Sequence, residues 1–173
     1  MPILYGAGLS DIEIASLEDY FDIKLPVDYK KFLSDYNGFL IKYPDYCNIE
    51  YHGVDDDSVA FNALFGYMIE NKIFDLKGQN DNFLDEIFFI KNSIIIGVDP
   101  GDNFYVLVVC GEFSGVYYWD RTHLHSDDSK QNYFFEEVSE CGNLYRVADS
   151  FDSFFKIIYG YAKAHNMSFD KGL

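Results

Sequence analysis

The stretch from Ile94 to Asp120, IIIGVDPGDNFYVLVVCGEFSGVYYWD, constrains this chain more than any other. It reads as three strands joined by two tight connections. Ile94–Val98 is a β-branched run, Asp99-Pro100-Gly101-Asp102 is a turn, and Phe104–Cys110 is a second apolar run. Gly111–Gly115 then closes a hairpin into Val116–Trp119. Read as a type II turn, Pro100 fixes φ at the second position and Gly101 supplies the positive φ at the third. The middle strand is apolar on both faces, with Tyr105, Leu107 and Val109 on one and Phe104, Val106, Val108 and Cys110 on the other. A half-solvated hairpin alternates apolar with polar, so this strand belongs inside a sheet covered on both sides. Alternation sets Tyr118 opposite Tyr117 and Trp119, and one of those faces is expected to be core.

Helices on either side of this stretch supply the cover. Ser10-Asp11-Ile12-Glu13 has the spacing of a capping box, and Ile14, Leu17 and Phe21 follow at helical intervals, predicting a helix over Asp11–Tyr20. Pro26 suits the first position of a second helix, whose stripe is Tyr29, Phe32, Leu33 and Tyr36 and whose stop is Asn37-Gly38. Ser150 caps a final helix with Phe151, Phe154, Phe155, Ile158, Tyr161 and Ala162 on its apolar side. Between these, Phe39–Phe61 reads as irregular chain with one or two short edge strands. A short helix is expected near Asp75–Asn82, weakened by Gly78 and several Asn, and a strand at Glu86–Ile90. Tyr133–Val138 and Leu144–Ala148 read as two further strands. Helices and strands come in separate runs, which predicts an α+β domain spanning residues 1–173, its core over about 10–165. Its mainly antiparallel central sheet carries two N-terminal helices and one C-terminal helix.

Composition narrows the partner. Thirteen Lys plus Arg against 29 Asp plus Glu give a formal net charge of −16. Nucleic acid and anionic membrane need cationic surface to replace their counterions, so neither is expected; the charge favours a cationic partner or simply serves solubility. Cys47, Cys110 and Cys141 contain no C-x-x-C pair, suggesting neither a disulfide framework nor a thiolate metal site. Cys110, at the end of an apolar strand, is expected to be a buried filler with an inert thiol. Without a basic n-region or an apolar run long enough to span a bilayer, the expected compartment is the cytoplasm.

Three segments together resemble a known family. Leu25-Pro26-Val27-Asp28-Tyr29-Lys30-Lys31-Phe32-Leu33 with Tyr36-Asn37-Gly38 is similar to its opening "LP.dYk.fl...NG". Ile96-Gly97-Val98-Asp99-Pro100-Gly101-Asp102 running to Val116-Tyr117-Tyr118-Trp119-Asp120 is the second. Val147-Ala148-Asp149-Ser150-Phe151-Asp152-Ser153-Phe154 is similar to its "iA.SFeeF". In this order and spacing they resemble the SUKH superfamily, which includes yeast cell-wall synthesis regulators and many bacterial proteins that neutralise polymorphic toxins. The resemblance implies a small cytoplasmic protein that binds a cognate toxin, often a nuclease or deaminase. It implies no catalytic residue and no cofactor. A regulatory interaction scaffold is the alternative within the family.

The residues leave two readings of function. Asp55, Asp56, Asp57, Glu112, Asp127, Asp128, Glu136 and Glu137 fall in connections or at strand ends, where they suit a surface engaging a basic active-site groove. The other reading is a metal-assisted hydrolase. His123 and His125, at i and i+2 with Asp120, Asp127 and Asp128 near them, share a face if the segment is extended. No helical frame such as H-E-x-x-H fixes that spacing, so a polar surface loop is favoured. There is no G-x-S-x-G elbow and no phosphate loop, and Asp99 and Asp102 lack the ligand spacing of a calcium loop.

Overall fold

A computed structural model describes residues 2–54, 56–125 and 142–173. The strands are β1 (Pro2–Tyr5), β2 (Phe39–Ile41), β3 (Cys47–Glu50), β4 (Ser58–Phe61), β5 (Ala63–Leu64), β6 (Ser93–Val98), β7 (Phe104–Val108), β8 (Gly115–Asp120), β9 (Asn143–Ala148) and β10 (Ser168–Lys171). Eight of them form one sheet in the order β10-β1-β2-β5-β6-β7-β8-β9, and β3 and β4 form a separate hairpin. All pairings are antiparallel except β1 with β10. The helices are α1 (Asp11–Phe21), α2 (Val27–Asp35), α3 (Leu76–Phe83) and α4 (Phe151–Ala164), so the fold is α+β as expected. Among the described residues no helix is long and apolar enough to cross a membrane.

The expected two-sided burial is present: every residue of β6, β7 and β8 is buried. On one face Tyr105 meets Phe154 of α4 at 5.0 Å between ring centroids, and Phe61 of the β3–β4 hairpin lies 5.6 Å from Tyr105. α2 packs against α4 through Tyr29 on Phe151 at 4.7 Å and Phe32 on Phe155 at 5.1 Å. On the other face Phe104 meets Phe83 of α3 at 5.1 Å. Tyr117, Tyr118 and Trp119 are therefore all core, one face no less than the other. α1 begins with the predicted capping box. The Glu13 carboxylate accepts from the Ser10 N–H at 2.8 Å, and the two Ser10 bonds hold that carboxyl below the usual range.

Four local expectations are corrected. Phe39–Phe61, expected as irregular chain with one or two short edge strands, holds β2, β3 and β4, and β2 lies inside the main sheet because β1 and β10 pair beyond it. Glu86–Ile90 is not a strand: the chain leaves α3 through a 3₁₀ turn at Leu84–Ile87, and Ser93 Oγ donates to the Ile90 carbonyl as β6 begins. Pro26 sits one residue ahead of α2 instead of inside it. β7 ends at Val108, which leaves Cys110 exposed, while of the two described cysteines Cys47 is the buried one and its thiol is pushed up to about 12 by burial. The strand expected at Tyr133–Val138 lies outside the described residues.

The helix expected near Asp75–Asn82 is α3, and its Asn80 has a structural use. β5 is two residues long and ends opposite Gly97. Beyond it the Asn80 amide takes the place of a strand, with Nδ2 donating to the Ile95 carbonyl and Oδ1 accepting the Ile95 N–H, both at 2.8 Å. The β6–β7 register shifts between Ile95 and Gly97, next to this clamp.

Candidate partner-binding surface

Asp56 and Asp57 stand exposed in the turn between β3 and β4, and Glu112 stands exposed in the turn between β7 and β8. They belong to separate connections of the fold. Asp55, Asp127, Asp128, Glu136 and Glu137 lie outside the described residues. The β3–β4 turn is internally braced. Asp57 takes φ 51°, and its carboxylate meets His52 Nδ1 at 3.0 Å, while Glu50 meets His52 Nε2 at 3.3 Å. Behind it, the Tyr51 ring rests edge-on against Tyr145 of β9 at 6.1 Å. The turn therefore presents carboxylates on a hairpin anchored to the sheet.

The Asp99–Asp102 turn differs from the type II expectation. The positive φ falls on Asp102, at 63°, and not on Gly101. Asp99 is the cause: its Oδ1 accepts the N–H groups of Gly101 and Asn103, and its Oδ2 accepts Asn103 Nδ2 and the Tyr118 hydroxyl. Four donors fill a carboxylate. Asn103 Oδ1 in turn accepts the backbone N–H and hydroxyl of Thr122, each at 3.0 Å.

The same device removes the geometry that a metal at His123 and His125 required. Asp120 is fully buried, and its two oxygens accept the N–H groups of Leu124 and His125 at 2.8 and 2.7 Å. This curls the chain, with His123 at φ 55°, so the two histidines are not alternate residues of an extended segment. His125 is buried, its ring 6.1 Å from Tyr118 and 6.2 Å from Tyr145, while His123 is exposed. Among the described residues no group of three candidate ligands assembles.

A cleft of about 520 Å³ opens beside the Asp99–Asp102 turn, between it and α3. Its apolar wall includes Phe65, Phe74 and Phe104, and its rim carries Asn62, Gln79, Asn82 and Asp102. Arg121 closes one side. Its guanidinium lies 4.6 Å from the Phe83 ring centre and 5.0 Å from that of Phe104, and forks onto Glu86 at 2.9–3.2 Å. Sequence reasoning missed Asn62, Gln79 and Asn82, because a polar residue between two short strands, as Asn62 is, or on the polar side of a short helix, as Gln79 and Asn82 are, carries no apolar periodicity.

A family model described as the SMI1/KNR4 family (SUKH-1) matches residues 8–157. The chain belongs to that family. No curated protein matches it. The three segments that resembled SUKH proteins meet one another in the fold. Asp28 Oδ2, from the first, accepts the N–H of Asp152, from the third, at 2.8 Å, and Tyr29 and Phe32 pack on Phe151. The two ends of the second are joined by Asp99 and Tyr118 at 2.8 Å. In this SUKH-1 chain the family pattern is spent on caps, turns and core.

Proposed function

We propose that this chain is a non-enzymatic immunity protein that binds and neutralises a cognate toxin domain of basic character, such as a nuclease, in the cytoplasm. Membership of a family commonly made up of immunity proteins supports this reading. The observation that carries it is a partition of chemistry. The family segments are used mainly for caps, turns and core, whereas Asp56, Asp57 and Glu112, none of them a quoted residue of those segments, stand exposed on connections of a chain with net charge −16. Such a surface raises the encounter rate with a cationic partner and rejects anionic ones such as nucleic acid and anionic membrane. The Asp99 carboxylate is filled by four hydrogen bonds and each oxygen of buried Asp120 holds a backbone N–H, which argues against a reacting group at either.

The test is binding and protection against a basic C-terminal toxin domain encoded beside this chain's gene. Co-expression is expected to rescue growth. The association rate should fall steeply with salt, and fall again in an Asp56→Asn, Asp57→Asn, Glu112→Gln variant at low salt. Absence of both binding and protection at low salt would overturn the assignment for that pair.

A further inference from the structure

Resting on the proposed function, we infer that the cleft beside the Asp99–Asp102 turn receives an arginine side chain of the toxin partner. The argument is a count of what its rim groups have left to offer. Asn62 Nδ2 donates to the Ile41 carbonyl and Gln79 Nε2 to the Ile73 carbonyl. A carbonyl only accepts, so the orientation of both amides is fixed and each keeps its oxygen free. The exposed Asp102 carboxylate adds two more acceptors, and Asn82, also exposed, has its amide uncommitted. Arg121, the cationic group of the lining, is already neutralised by Glu86. The cleft therefore holds a surplus of acceptors and negative charge, and calls for a cationic ligand rich in donors.

The apolar wall narrows the choice further. Phe65, Phe74 and Val98 suit the methylene stem of a long side chain. Acceptors approaching from several rim residues match the forked, planar donors of a guanidinium better than the point charge of an ammonium. The protein already seats one guanidinium on this aromatic cluster, since Arg121 stacks on Phe83 and Phe104. A volume of about 520 Å³ leaves room for a second side chain entering from solvent.

The test titrates the ¹⁵N-labelled full chain with acetyl-Gly-Arg-Gly-amide, and with its lysine and citrulline counterparts, followed by NMR. Arginine should produce saturable shifts at the side-chain amides of Asn62, Gln79 and Asn82 and at the Asp102 N–H. Binding of citrulline, an uncharged isostere, should be about tenfold weaker. Asp102→Asn should weaken arginine by a similar factor, and asparagine tolerates the left-handed backbone there, so the fold is kept. Equal shifts for arginine and lysine spread over Asp56, Asp57 and Glu112, or no effect of Asp102→Asn, would overturn the inference. The cognate toxin domain separates the two claims. If Asp102→Asn and Asn82→Ala bind it as tightly as the parent, the cleft is not its docking site and the immunity reading stands. If the parent ignores every basic toxin domain yet takes the arginine peptide, the immunity reading falls and the cleft chemistry remains.

Discussion

Asn80 holds Ile95 as a neighbouring strand would, giving an N–H to its carbonyl and taking its N–H in return, both at 2.8 Å. The side chain is buried, and a further bond from Nδ2 to the Leu76 carbonyl fixes it within its own helix. α3 is thereby hydrogen-bonded to the sheet as well as packed on it.

Asn80→Leu is expected to cost about 2–4 kcal/mol, because it buries an unpaired N–H and an unpaired carbonyl on β6 while adding apolar bulk. Urea unfolding measures this as a lower midpoint at unchanged slope. A loss under about 1 kcal/mol would mean that water replaces the amide without penalty.

Tyr118→Phe removes one of four donors from Asp99 and should cost about 1–2 kcal/mol. Asp99→Ala strands the N–H groups of Gly101 and Asn103 as well, and should cost more. The two losses should not add in the double variant, since the Tyr118 bond is already gone once Asp99 is removed.

Glu18 gives the fold a pH dependence on the acid side. Burial raises its pKa, but the Leu25 N–H at 2.8 Å and the Lys24 and Lys30 ammonium groups outweigh it and hold the carboxyl below its ordinary 4.5. A depressed folded value means that the unfolded chain takes up the proton first as pH falls. The contribution is complete above about pH 4.5 and is lost below it, as pH falls through the folded value. Glu18→Gln should lower stability at pH 7 and flatten the stability profile below pH 4.5; parallel profiles for parent and variant would contradict the assignment.

Arg121→Lys should behave as a loss rather than a conservative change. Lysine keeps the charge beside Glu86 but gives up the fork and the stack on Phe83 and Phe104, a cost of about 1–2 kcal/mol. A double-mutant cycle with Glu86→Gln separates the fork from the stack, because only the fork depends on Glu86.

The elements that the sequence made legible are those whose signal is local. Ser10 and Glu13 are three residues apart and form their capping box as predicted, and the apolar run of β7 carries its two-sided burial in its own composition. What stayed hidden depends on distant partners. Pro2–Tyr5 and Ser168–Lys171 are too short to declare themselves as strands: the first is one because β2 and β10 pair with it, the second because β1 does. Missing that pair made Phe39–Ile41 look like an edge. The positive φ passed from Gly101 to Asp102 because the Asp99 side chain sets the turn, a choice that backbone preference alone does not reveal. For the surface, net charge and loop carboxylates were readable. The cleft was not, since Asn62, Gln79 and Asp102 lie on three separate stretches brought together only where α3 packs beside the sheet.

The complete burial of β6, β7 and β8 also decides where this protein is free to vary over its descent. A change at any position of those strands alters packed core and lowers stability, whereas a change at exposed Asp56, Asp57 or Glu112 leaves the core untouched. Chains that inherit this frame are thus able to diverge at such exposed positions of their connections without refounding the fold.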